Sequence, residues 1–264
     1  MKKSIVAGLV VAALSSGAQA YMVDDTYVGG KDWGYGDVIG QKNMFDVVGL
    51  NASISGTVLT VDIFTSFYGS DVGSYKELTK NGKGIGYGDL FLSSAWTPYG
   101  SAANGYKYDN NVNGTKWTYG FSVNDNWSKT GGNGKLYALN GATNDANAKL
   151  SQDYMKSGYY RTGQEVTVDR QSSTVQALTN GSWAVSVVDP TGYNGTVLSK
   201  ITMVMDLAFT DLLNGDKLAF HWGELCGNDV IEGEISIPKV DEPATLALFG
   251  LGLAGLMASR RRKA

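Results

Sequence analysis

The richest chemical resource of this chain is side-chain oxygen. Asp24, Asp25, Asp37, Asp89, Asn228 and Asp229 each lie beside a turn signal or at the edge of an apolar run. Asp, Asn and loop carbonyls suit a hard cation that takes about six to eight oxygens. Asp outnumbers Glu by 19 to 6, and the shorter side chain binds close to its own backbone. Asp25, Asp37, Asp89, Asn228 and Asp229 are therefore the candidate ligands of a structural Ca²⁺. No Asp-x-Asp-x-Asp-Gly loop occurs, so the pattern is not an EF-hand. The same residue types also shape turns and cap strands without any ion.

Flat aromatic faces are the second resource. The chain holds 6 Trp and 15 Tyr, many of them in polar segments. Trp33, Trp96, Tyr99 and Trp127 are the candidates for stacking against sugar rings, with Asn and Asp nearby to meet the hydroxyls. Trp117, Trp183 and Trp222 lie on alternating apolar faces and read as core.

His221-Trp222-Gly223-Glu224-Leu225-Cys226-Gly227-Asn228-Asp229 contains the only His and the only Cys. A zinc site would need more ligands than these. A Cys nucleophile served by His221 is conceivable. The plainer reading is a turn between two strands, with Cys226 a small buried side chain. A glycoside hydrolase would need two carboxylates facing across a cleft, which spacing along the chain cannot place. The expectation is a protein with no catalytic residue.

These residues must be positioned by strands. Leu59, Val61, Ile63 and Phe67 share one face of an alternating run. Trp117 to Val123, Trp183 to Val187, Ile201 to Phe209, Leu218 to Trp222 and Ile231 to Ile237 repeat the pattern. Period two over so many segments means half-buried antiparallel strands. Asn81-Gly82, Asn113-Gly114, Gly131 to Gly134, Asn180-Gly181 and Asn214-Gly215 read as tight turns between them. About ten to twelve short strands predict an all-β, antiparallel two-sheet β-sandwich of jelly-roll type, with a barrel as the alternative. Gly-Tyr-Gly-Asp occurs at Gly34 to Asp37 and again at Gly86 to Asp89, so the two Asp residues are expected at equivalent strand entries.

Composition narrows the class further. The 264 residues hold 22 Lys plus Arg and 25 Asp plus Glu, a net charge of -3. Six of the bases are Lys2, Lys3, Arg260, Arg261, Arg262 and Lys263, so residues 21–259 carry 16 bases against 25 acids. An acidic body argues against nucleic acid as a partner. A single Cys excludes an internal disulfide framework.

The ends read as addresses. Lys2 and Lys3, an apolar run from Ile5 to Leu14, and Ala18-Gln19-Ala20 form a secretory signal peptide, residues 1–20, with Ala18 and Ala20 at the cleavage site. Signal peptidase is then a partner. Residues 21–239 are the body. At the other end Ala244 to Ser259 is uncharged, about 24 Å long as a helix and marginal for a bilayer. Arg260, Arg261, Arg262 and Lys263 would hold its end in the cytoplasm.

Val240-Asp241-Glu242-Pro243, the apolar segment and the Arg run together resemble the PEP-CTERM sorting signal, over residues 240–264. Tails of this kind also carry an "ice-binding protein C-terminal" label, which describes the tail alone. Asp241 replaces the first Pro of the usual Val-Pro-Glu-Pro, while Glu242 and Pro243 are kept. The resemblance implies a transmembrane segment at 244–259 and transient insertion in the inner membrane of a Gram-negative bacterium. It also implies processing by an exosortase near Glu242 and Pro243. The body resembles other uncharacterised exported proteins with such tails. The function implied is a non-catalytic adhesive or polysaccharide-associated component of biofilm or exopolysaccharide. A secreted polysaccharide-active hydrolase and a purely structural matrix protein are the alternatives.

Overall fold

The computed structural model describes residues 19–30, 36–140, 146–193 and 196–237. Among them ten strands form one antiparallel sheet, and two more form a small separate sheet. In chain order the strands are β1 (Gln19–Asp24), β2 (Val47–Ser55), β3 (Val58–Thr65), β4 (Leu90–Ser93), β5 (Tyr119–Val123), β6 (Gly131–Leu139), β7 (Ala148–Leu150), β8 (Glu165–Val168), β9 (Val175–Tyr193), β10 (Thr196–Asp206), β11 (Lys217–Gly223) and β12 (Val230–Ser236). One-turn helices α1 (Lys42–Phe45) and α2 (Ser151–Tyr154) sit in the connections.

The large sheet runs β1-β2-β3-β10-β9-β6-β5-β4-β11-β12. Its two edge strands, β1 and β12, lie against each other, so the sheet curls almost into a barrel. The expected two-sheet sandwich is thus corrected to a single curled sheet. The alternation that reads equally well as sandwich or barrel cannot separate them. The separation lies in which edges meet, a long-range property.

The inward faces fill the barrel. Leu59, Val61 and Ile63 of β3, Ile201, Met203 and Met205 of β10, Leu218, Phe220 and Trp222 of β11, and Ile231 and Ile235 of β12 share one core. The alternating residues of β4 and β11 point outward, yet Phe91, Ala219 and His221 are buried too. Strands β7 and β8 cover that face, so Val168 and Ala148 pack with Phe91, Trp117 and Ala219. A strand covered on both sides has no exposed polar row. Trp117 therefore joins this outer cluster rather than the face of Phe121 and Val123. Phe209, expected in line with Leu207, is 74% exposed. β10 ends at Asp206, whose carboxylate accepts the Ala208 N–H at 2.9 Å and turns the chain.

Two expected turns are strand interiors. Gly131 to Gly134 opens β6, and Asn180-Gly181 lies inside β9. Gly134 and Gly181 pair across the ladder. The Phe121 ring occupies the space that a side chain on either would need. These glycines admit a close neighbour rather than a reversal of the chain.

The seam between β1 and β12 is unusual. Among the described residues the ladder order begins at one and ends at the other, with no pairing between them. They meet through packing, with Val23 of β1 seated where Gly233 of β12 lacks a side chain. Predicted signal-peptide residues Gln19 and Ala20 pair with Ile54 and Ser53 at the start of β1. The cleavage residue Ala18 and the segment 244–259 lie outside the described residues. Among the described residues no helix is long and apolar enough to cross a membrane.

Candidate metal centre at the barrel seam

The carboxylates of Asp25, Asp37 and Asp229 converge, with one oxygen of each within 4.8 Å of the others. The elements that bring them together all end at the same rim. Asp25 follows the last residue of β1, and Asp229 precedes the first residue of β12. Asp37 lies in the loop before α1. Asp46 links α1 to β2, and Glu224 follows β11. Five acids therefore surround the open end of the seam.

Buried polar atoms nearby lack partners. Glu224 is 0% exposed, and neither of its carboxylate oxygens has a hydrogen-bond partner. Asp46 Oδ2, Asn228 Oδ1 and Asp25 Oδ1 are buried and unpartnered as well, with Asp46 3% and Asn228 5% exposed. A buried carboxylate without a donor costs several kcal/mol as an anion, so it takes up a proton or a cation. Burial, then the charges of Asp229, Asp37, Asp46 and Glu224, push Asp25 up to about 10. Asp229 and Glu224 are pushed well above the usual carboxylate range, by burial first and then by Asp37 and Asp229 respectively. The amides of Glu224 and Asp229 pull Glu224 the other way without forming hydrogen bonds of normal geometry.

The frame around the cluster is fixed. Asp229 Oδ2 accepts the Val47 N–H of β2 at 2.6 Å, and Oδ1 accepts the Val230 N–H at 2.9 Å. The Asn228 carbonyl accepts the Ile39 N–H at 2.8 Å, which fastens the Asp37 loop to the β12 entry. Buried Arg161 donates to the carbonyls of Gly29 at 2.6 Å, Gly36 at 3.1 Å and Asp37 at 2.5 Å. Its positive charge offsets only part of the acid cluster. Oxygen donors alone, several of them anionic, are the set a Ca²⁺-sized cation takes.

Of the five residues expected from sequence, the structure brings Asp25, Asp37 and Asp229 together, with Asn228 beside them. Asp89 is elsewhere. Its Oδ1 accepts the Val123 N–H at 2.9 Å and its Oδ2 the Val168 N–H at 2.8 Å. Burial raises it to about 6, and those two amides restrain the rise. Asp89 ties β5 to β8 and is a backbone anchor. The two Gly-Tyr-Gly-Asp motifs thus diverge, since Asp89 enters β4 while Asp37 enters a bend. Sequence reading missed Asp46, which adjoins the apolar start of β2, and Arg161, whose guanidinium donates to carbonyls far away in the chain.

The aromatic candidates do not share one face. Trp33 lies outside the described residues. Trp96 is half-buried, donates to Glu232 Oε2 at 2.9 Å and meets Tyr106 edge-on at 5.1 Å. Tyr99 is 54% exposed nearby, its N–H on Asp109 Oδ1 at 2.9 Å. Trp127 belongs to a different surface and donates to the Gly84 carbonyl at 2.8 Å.

His221 sits under the small sheet. Its Nδ1 is 2.8 Å from Glu232 Oε1 and its Nε2 is 2.6 Å from the Glu165 carbonyl. The Glu165 carbonyl can only accept, so Nε2 carries a proton, and an ionised Glu232 at Nδ1 favours a second. Burial pulls its pKa down, but the hydrogen bond and charge of Glu232 outweigh this and raise it overall. Cys226 is fully buried, and burial followed by Glu224 pushes its thiol well above the usual range.

A model of the PEP-CTERM protein-sorting motif matches residues 242–263. That span holds Glu242, Pro243, Arg260, Arg261 and Arg262, all outside the described residues. No curated protein and no solved structure matches the chain. The motif implies export and sorting by an exosortase, and the match shows that the chain carries a PEP-CTERM sorting signal at residues 242–263.

Proposed function

We propose that the body is a non-catalytic protein of the cell surface or extracellular matrix, closed at its seam by a divalent cation, and associated with exopolysaccharide. The convergence of Asp25, Asp37 and Asp229 among unpartnered buried oxygens carries the cation reading. Two edge strands without a ladder between them need another fastening. A cation held by the end of β1, the Asp37 loop and the start of β12 supplies it. Extracellular sites work with modest affinity, since calcium is abundant there. Export through a sorting signal then delivers the chain to the compartment in which its seam closes.

Two observations support a binding role over hydrolysis. Asp25, Asp37 and Asp229 crowd one cage, one oxygen of each within 4.8 Å of the others, rather than face each other as a pair across a cleft. The lone His and Cys are buried and engaged in packing. The polysaccharide association rests on the sorting motif and on what the resemblance implies.

Thermal unfolding of the full-length protein tests the cation reading. Added Ca²⁺ raises the midpoint saturably over the chelated protein, because a ligand of the folded state stabilises it by mass action. An unchanged midpoint at millimolar Ca²⁺ removes the clamp from the account.

A further inference from the structure

A second site faces away from the seam. Lys76, Lys83 and Lys129 line an open cleft of about 580 Å³ together with Trp127. Among the described residues none of the three ammonium groups has a hydrogen bond or salt bridge. Asp71 lies near enough to feel the charge of Lys129: burial raises its carboxyl, and Lys129 restrains the rise. Three ammonium groups open onto one cleft of a body that is acidic overall, and their shared sign favours an anionic ligand there.

The walls are already built. Trp127 is half-buried, its Nε1 is fixed on the Gly84 carbonyl at 2.8 Å, and Lys83 Nζ lies 4.7 Å from its ring centroid. Lys83 is presented by the Asn81-Gly82 turn, where Asn81 Oδ1 accepts the Lys83 N–H at 2.9 Å. The segments that carry Lys76 and Lys83 are laced together. Gly73 N–H donates to the Ile85 carbonyl at 2.7 Å, and Ile85 N–H to the Ser74 carbonyl at 2.9 Å. A ligand therefore meets a backbone and a ring that are already fixed, and only the exposed lysine side chains must order around it.

We propose that this cleft binds an acidic sugar residue of an anionic polysaccharide, with the ring against Trp127 and its carboxylate among Lys76, Lys83 and Lys129. A neutral sugar would leave the lysines unused. A lipid tail would leave them buried and unpaired. Nucleic acid carries a phosphate every 1.7 Å or so of duplex, and the acidic body opposes so dense a polyanion. The proposal rests on the reading of the body as polysaccharide-associated and is independent of the cation clamp.

The test titrates the full-length protein with a hyaluronan hexasaccharide and follows tryptophan fluorescence. Binding is saturable and weakens as ionic strength rises from about 0.05 to about 0.3 M. Lys76→Gln and Lys129→Gln each weaken it about twofold to fivefold, and Lys129→Arg restores it. Trp127→Phe removes the spectral change, and a melting curve equal to the parent's for K129Q shows that the fold is intact. Equal binding by K129Q and the parent protein, or tighter binding of single-stranded DNA, overturns the proposal. Binding of neutral dextran in place of hyaluronan overturns the cleft but leaves polysaccharide association standing. Silence toward both sugars removes polysaccharide association as well, and does not touch the calcium result.

Discussion

Asp25 and Asp229 leave the two opposite edges of one ten-stranded sheet and meet at its seam, where burial and then the charge of Asp229 raise the proton affinity of Asp25. No ladder hydrogen bonds join the strands that carry them. The seam depends on Val23 packing over Gly233, on the Asp229 bond to the Val47 amide, and on whatever neutralises the carboxylates. The proposed cation would perform that neutralisation without forcing several protons onto one cluster.

Removal of the cation is the first prediction. At a free Ca²⁺ concentration about a hundred times Kd, linkage stabilises the fold by about 2.7 kcal/mol. For a body of this size that is a midpoint shift of roughly 5–10 °C. Calorimetry with Ca²⁺ and with a chelator reads it directly.

Substitution separates the clamp from the anchor. Asp37→Asn removes a charge from the cluster while keeping the shape, so the Ca²⁺-dependent shift shrinks or disappears. Asp89→Asn weakens the hold on the Val123 and Val168 amides and costs about 1–3 kcal/mol with or without Ca²⁺. Parallel melts of the two variants distinguish a ligand from a fastening. A calcium response lost in D89N and kept in D37N would reverse the two assignments.

His221 supplies a pH prediction of definite sign. Its folded pKa lies above the ordinary 6.5, so its contribution to stability is complete below that value and is lost as pH rises through the folded pKa. Glu232 faces its Nδ1, the Glu165 carbonyl faces its Nε2, and Asp109 and Tyr27 lie beyond Glu232. Ring-nitrogen NMR at pH 7 is expected to show both nitrogens protonated. A neutral ring with one bare nitrogen at that pH contradicts the assignment.

The paired glycines respond unequally. Gly134→Ala drives a methyl into the Phe121 ring, which can shift, whereas Gly181→Ala also meets the Val204 carbonyl of β10. Overpacking of this kind costs about 1–3 kcal/mol, and G181A lies at the upper end because backbone yields less than a ring. Denaturant melts of the two variants give the ranking.

Much of the architecture was legible in the chain. The alternation of Leu59, Val61 and Ile63, or of Leu218, Phe220 and Trp222, is local and survives folding unchanged. The closure was not legible, because it depends on Val23 finding Gly233 more than two hundred positions away. Gly134 and Gly181 show a subtler limit. An Asn-Gly or Gly-rich cluster signals a turn by its backbone freedom, but the same absence of a side chain also makes room for Phe121. The candidate ligands were legible as a type, oxygen-rich and short. Which of them converge was not, since Asp37 and Asp89 occupy nearly identical local motifs and differ only in which amides surround them.

Hydrogen exchange of the full-length protein, with Ca²⁺ and with a chelator, tests the seam most directly. The account predicts that chelation deprotects Tyr21 to Asp24, the loop from Asp37 to Asp46, and Val230 to Ser236. It predicts no change in the paired centre of β9 and β10. Exchange that is unaltered by chelation, or that rises evenly over the whole sheet, would contradict a cation that closes the barrel.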